Sequence, residues 1–236
     1  MAEVKKTNLI TKGKTKEIRK ASDGLVYVCS LDKTAASNKI TCNVLELLER
    51  AGIKTHYIKM FDATSFLARE LYIIPLIFSV RRCATDDYLA RNPEIPHGAI
   101  FKDFVFEIFE KNGTDHNPML GFDFKADKLY RYDHEKPLDI GLICKEAISK
   151  SRFADMNLDK MSGLAMQCAA TFKILEDYWY RLGGTLLYVN MEFGVDVETG
   201  ETLLGCINNS SWRLQFDGED KTPTEIARLT DKFDTL

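Results

Sequence analysis

Residues 159–208 read DKMSGLAMQCAATFKILEDYWYRLGGTLLYVNMEFGVDVETGETLLGCIN, and their periodicities decide the fold class. Asp159 precedes a helical stretch, 160–182, in which Met161, Leu164, Ala165, Cys168, Phe172, Leu175 and Trp179 recur on one broad stripe. Gly183-Gly184 ends it, because glycine closes a helix without a Cβ penalty. The pattern then changes to strand. LLYVNMEFGVDV (186–197) and ETLLGCIN (201–208) flank Glu198-Thr199-Gly200, the best hairpin signal in the chain.

Working outward, GLVYVCSL (24–31) predicts a strand, and Ile40, Val44, Leu47 and Leu48 recur at helical spacing. Ser37 suits the start of that helix and Gly52 its end. THYIKMF (55–61) returns to strand composition, Asp62 predicts a short helical stretch through Arg69, and Leu71–Arg82 predicts another strand. Pro75 must then lie at its edge, its start or a bulge, since proline donates nothing to a ladder. FKDFVFEIFEK (101–111) alternates in part and ends at Asn112-Gly113, a second hairpin signal, and 138–151 reads as a short helix. Strands and helices mix without strict βαβ alternation or an internal repeat. That implies α+β with two lobes.

Composition excludes several classes. At 236 residues, 45% hydrophobic and 28% charged, the chain is of ordinary globular make-up. Lys plus Arg total 32 against 35 acids, a net charge of −3, which argues against a generally basic nucleic-acid binder. The first residues carry no long apolar run, and Leu71–Val80 is about half a membrane span and is broken by Pro75. Six cysteines (29, 42, 83, 144, 168, 206) form no C-x-x-C pair and have no histidine at metal spacing. Reduced, buried thiols in a cytoplasmic protein with no membrane partner follow, and the scattered His56, His97, His116 and His134 read as structural rather than catalytic.

Gly13-Lys14-Thr15 suggests a phosphate loop, but a Walker A pattern needs glycine at position 8, where Asn8 stands. What remains is KGKTKEIR (12–19), whose Lys12, Lys14 and Lys16 would share one face of a strand, facing either a phosphate or solvent. Further strings follow in order: SNKIT…LLERAGIKTHYI, IIPLIFSVRRCATDDYLARNP, MEFGVDVETGE and SSWRLQFDG. Together they resemble the phosphoribosylaminoimidazole-succinocarboxamide synthase (SAICAR synthetase) family, and most of all the synthetase domain of the animal bifunctional purine-biosynthesis enzyme.

The resemblance runs from about Leu9 to Phe233. It implies a two-lobed fold of antiparallel sheets with flanking helices and a nucleotide cleft between an ATP-side lobe, 1–84, and a substrate-side lobe, 85–236. The implied reaction uses ATP and Mg²⁺ to activate the carboxylate of carboxyaminoimidazole ribotide as an acyl phosphate, which the amine of aspartate attacks. By resemblance Lys12, Lys14, Lys16, Glu107 and Lys111 would bind ATP. Arg82, matched to the arginine of P-x-E-x-x-x-R, would grip the ribotide phosphate with Arg213. Lys16, Glu192 and Arg213 would serve catalysis.

The departures fall on polar positions. The glutamate after P-[LIVM] is Ile77, the family's glycine-serine is Asp86-Asp87, and the aspartate and lysine of D-x-K-x-E-F-G are Tyr188 and Asn190. Acids before the tryptophan-arginine pair become Gly205, Asn208 and Ser210, and the first hairpin's acid pair becomes Gly113 and Asn117. The segments 31–36 and 218–223 are shorter than the family's. A carboxylate about 5 Å from a phosphate repels it by roughly 3 kcal/mol at an effective dielectric near 20, and Mg²⁺ loses ligands with each lost acid. No metal-ligand set remains. Two functions stay open: an ATP-dependent ligase of purine biosynthesis, or a catalytically inactive paralogue that binds nucleotide or serves as a scaffold. Either leaves room for a homo-oligomer or for association with the active synthetase.

Overall fold

The computed structural model describes residues 7–13, 15–31, 35–110, 128–131, 158–205 and 207–231. Among them the strands form two antiparallel sheets. The first, five-stranded and ordered β1-β2-β3-β5-β4, holds β1 (Leu9–Lys12), β2 (Lys16–Ser22), β3 (Leu25–Ser30), β4 (Tyr57–Asp62) and β5 (Ser65–Arg69). The second, seven-stranded, runs β12-β11-β9-β6-β7-β8 with β10 on β9; its members are β6 (Leu71–Cys83), β7 (Ile100–Glu110), β8 (Lys128–Arg131), β9 (Gly184–Asp196), β10 (Thr202–Leu204), β11 (Trp212–Phe216) and β12 (Glu219–Asp220). Helices α1 (Ala35–Arg50), α2 (Asp86–Leu89), α3 (Leu158–Arg181) and α4 (Pro223–Asp231) complete the described fold.

The α+β expectation holds; the first sheet ends with Arg69 and the second begins with Leu71. β6 pairs with β7 and β9, not with the first sheet, so the whole strand belongs to the second. Helix α1 joins the two: Ile40, Val44 and Leu48 enter the main core, while Cys42 and Leu45 pack with Val26, Val28 and Phe66 of the first sheet. The main core lies between α3 and one face of the second sheet. The predicted stripe forms, with Met161, Leu164, Ala165, Cys168, Phe172, Leu175 and Trp179 all buried in it, and Trp179 meets Trp212 at 5.8 Å. Burying each such side chain contributes about 1.5–3 kcal/mol.

Local expectations fare unevenly. Gly200, at φ 73°, turns the β9–β10 hairpin while Asp196 Oδ1 accepts the Glu198 and Thr199 amides at 2.8 and 3.1 Å. Pro75 falls at an irregularity of the β6–β9 register between Ile73 and Ile77. The helical stretch expected from Asp62 is instead the turn and strand β5. Asp62 Oδ1 accepts from the Thr64 amide and the Ser65 hydroxyl, both at 2.8 Å, and so caps a tight β-turn. The 12–16 lysines do not share a strand: Lys12 ends β1, Lys16 begins β2, and Gly13 N–H donates to the Lys16 carbonyl across the turn. The Asn112-Gly113 hairpin and the 138–151 helix lie outside the described residues. Cys29, Cys42, Cys83 and Cys168 are buried free thiols; burial pushes Cys29 up to about 11 and Cys168 well above its ordinary value. Cys144 and Cys206 lie outside the described residues. No helix among the described residues is long and apolar enough to cross a membrane.

His56 closes the junction of the sheets. Its amide donates to the Leu204 carbonyl, its carbonyl accepts from Arg69, and its ring stands edge-on to Phe66 at 5.7 Å. Burial, with the nearby Lys16 charge, lowers it from 6.5 to about 3, so it folds neutral. Between those values the unfolded chain binds the extra proton, so this stabilisation is complete above about pH 6.5 and is lost as pH falls toward 3. In urea unfolding followed from pH 7 to pH 4, we expect His56→Phe to lose less stability than the wild-type protein; equal losses would show that His56 is not the titrating group.

Candidate functional site

Strand alternation gives the second sheet two chemically different faces. On β6, Leu76, Phe78 and Val80 enter the main core, so Ile77, Ser79 and Arg81 face the other way. Register extends the polar face across the sheet in rows: Arg213–Tyr188–Arg81, Asn190–Ser79–Glu107 and Glu192–Ile77–Phe109. Three expected site residues, Glu107, Glu192 and Arg213, are therefore brought to one face.

The centre of that face is Arg81, a residue the sequence reading passed over. It is 0% exposed, its Nη1 donates to Thr85 Oγ1 at 2.5 Å, and its Nε lies 3.4 Å from Glu107 Oε2. The guanidinium sits over the Tyr88 and Tyr188 rings, 5.2 and 4.9 Å from their centroids. Arg91 Nη2 takes the other Glu107 oxygen at 2.8 Å and lies over Phe109. One buried carboxylate thus serves two arginines. Arg213 is held by Asp220 at 3.2 Å, near the sheet edge.

Arg82 is not brought to this face. Neighbouring residues on a strand point to opposite faces, and Arg82 pairs with Glu176 of α3 through Nε and Nη2 at 2.7 and 3.1 Å. It also donates to the Phe101 and Lys102 carbonyls. Burial raises the Glu176 carboxyl, but hydrogen bonds from Arg82 and Lys173 outweigh it and hold the group below its usual range. Counted from Pro75, the P-x-E-x-x-x-R spacing ends on Arg81, so both spacing and pleat single out that residue.

Between the sheets lies a cavity of about 250 Å³ lined by Thr15, Lys16, Val28, Ser30, Ser37, Asn38, Thr41, Phe66, Asn208, Asn209, Ser210 and Pro223. Lys16 is the expected ATP-side residue found here. Lys12 is exposed at the end of β1; Lys14 and Lys111 lie outside the described residues. The 207–211 loop reaches across: Asn209 Nδ2 donates to Ser37 Oγ at 2.9 Å, and the Ser211 carbonyl accepts from the Asn190 amide at 2.6 Å. Among the described residues the lining holds a cation, hydroxyls and amides but no carboxylate.

A Mg²⁺ ion does not fit the described residues. No group of three or more His, Cys, Asp or Glu among them could hold a metal. Ile77 is buried beside Glu192, and Gly205 donates to the Glu192 carbonyl at 2.7 Å. A Cβ at 205 would meet that oxygen at 3.0 Å, leaving little room for a carboxylate side chain.

Removing one partner of a buried ion network costs about 3–5 kcal/mol. Glu107→Ala should therefore destabilise the fold by about 3 kcal/mol or more in urea unfolding, and by more than Glu176→Ala, whose ion pair is partly solvated. A loss below about 1 kcal/mol would show that Glu107 does not hold the two arginines.

Known proteins resemble this chain in sequence and in fold. The chicken (Gallus gallus) protein "Multifunctional protein ADE2" is 30% identical over 238 residues, covering 92% of this chain and 51% of its own length. The chain spans about half the length of the curated relatives it matches. Among solved structures, the phosphoribosylaminoimidazole-succinocarboxamide synthase of Ehrlichia chaffeensis has a TM-score of 0.72 at 18% identity, covering 97% of this chain and 96% of that one. A SAICAR synthetase solved in complex with ADP has a TM-score of 0.71 at 20% identity, covering 97% and 91%. At such identities the structures establish the fold alone. The family SAICAR synthetase matches residues 9–232, nearly the whole sequence, and the chain belongs to that family.

Proposed function

We propose that this chain is a SAICAR synthetase-family protein of purine biosynthesis that retains a nucleotide site between its sheets and does not carry out the ligation. The observation that carries this reading is the lining of the inter-sheet cavity, with Lys16 present and, among the described residues, no carboxylate. Phosphoryl transfer is almost entirely positioning and charge neutralisation, commonly with metal ions that bridge the phosphates. Glu192 lies between Ile77 and Gly205, and among the described residues no group of three or more His, Cys, Asp or Glu could hold an octahedral ion. The ADP complex of a fold relative supports nucleotide binding. A chain that binds nucleotide without turning it over would act as a scaffold or partner subunit.

A second reading, the working ligase, is favoured by one observation: Glu107, Glu192 and Arg213 still share a sheet face, with Arg81 among them. Its substrates would be ATP, carboxyaminoimidazole ribotide and aspartate. A coupled assay of ADP release separates the two. The expected result is no release that depends on both ribotide and aspartate. Turnover that Lys16→Ala abolishes would establish the ligase instead.

A further inference from the structure

We propose that the inter-sheet cavity takes a nucleotide phosphate as a bare anion, with no divalent cation beside it. The inference rests on the nucleotide reading above and concerns only the ion that accompanies the nucleotide.

Two features of the lining carry it. The first is charge. Lys16 brings one positive charge to a cavity whose other polar groups, among the described residues, are neutral hydroxyls and amides. Among the described residues Lys16 has no carboxylate partner. A divalent ion placed here would meet that lysine with no protein carboxylate to offset the repulsion, whereas a phosphate would be attracted.

The second is the state of the lining oxygens. Asn208 Oδ1 already accepts from the Ser210 amide at 2.9 Å and the Ser210 hydroxyl at 2.5 Å, with Ser211 Oγ at 3.4 Å. Both lone pairs are committed, so this oxygen is not available to a metal. Asn209 Oδ1 is buried without a hydrogen bond, but one neutral amide oxygen is far from the six that Mg²⁺ requires. Asn38, Thr41, Asn209 and Ser210 already donate within the fold, so the donors left to phosphate oxygens are the Lys16 ammonium and the Thr15 and Ser30 hydroxyls. The donor set is that of an anion site.

Isothermal titration calorimetry on the full chain, with ATP and ADP as probes in EDTA or in excess Mg²⁺, tests this. Affinity in EDTA should equal or exceed that in Mg²⁺. Asn208→Asp keeps the shape and the hydrogen-bond acceptors of the loop while adding a negative charge. It should weaken binding in EDTA by about tenfold or more, and Mg²⁺ should relieve the loss. Wild-type binding that is tenfold or more tighter with Mg²⁺ overturns the inference and leaves the nucleotide reading standing. An unchanged Asn208→Asp affinity in both buffers overturns the placement of phosphate beside this loop. Absence of binding in both buffers overturns the nucleotide reading and this inference with it.

Discussion

The two-sided pleat of the second sheet is the constraint from which both core and site follow. Along β6 each step of one residue moves a side chain to the opposite face, so Leu76, Phe78 and Val80 can meet α3 only if Ile77, Ser79 and Arg81 face away from it. Register with β7 and β9 then lines up Glu107, Tyr188 and Asn190 beside them. A slip of one residue would bury Arg81 against Phe172 and Trp179 and turn the apolar row outward. The apolar core therefore enforces the polar face, and the polar face survives whether or not it retains a reaction.

That coupling accounts for the pattern of change. Positions facing α3 remain apolar, since a cavity left by a large-to-small change there would cost about 2–5 kcal/mol. The polar face carries a different load. Its buried arginine has been made self-consistent, with Arg81 between two tyrosine rings and against Glu107. Such a network keeps its place through internal compensation, independent of a bound phosphate. The inter-sheet cavity is of another kind, lined among the described residues by Lys16, hydroxyls and amides.

Much of the fold was legible in the sequence because its signals are local. The α3 stripe, the Asp196–Glu201 hairpin and the bulge at Pro75 each rest on residues within one or two turns of chain. Asp62 misled because a carboxylate that caps a helix caps a β-turn equally well, and only pairing with β3 and β4 decides between them. The lysines of 12–16 misled because an alternation of two looks the same on one strand as on two strands of a hairpin. The site was legible as residue types and only partly as geometry. Arg81 and Arg82 are indistinguishable in composition, and it is the sheet register that sends one into the polar face and the other to Glu176. Arg91 and Tyr88 carried no signal of their own, since their roles arise from the return of the chain over β7.

The central claim is that this family member has a nucleotide cavity without a metal centre. Crystals grown with a non-hydrolysable ATP analogue and Mn²⁺, examined at the manganese absorption edge, address it most directly. The account predicts ordered phosphate against Lys16 and no anomalous peak in the cavity or beside Glu192. A manganese peak bridging the phosphates to Glu192 would contradict it.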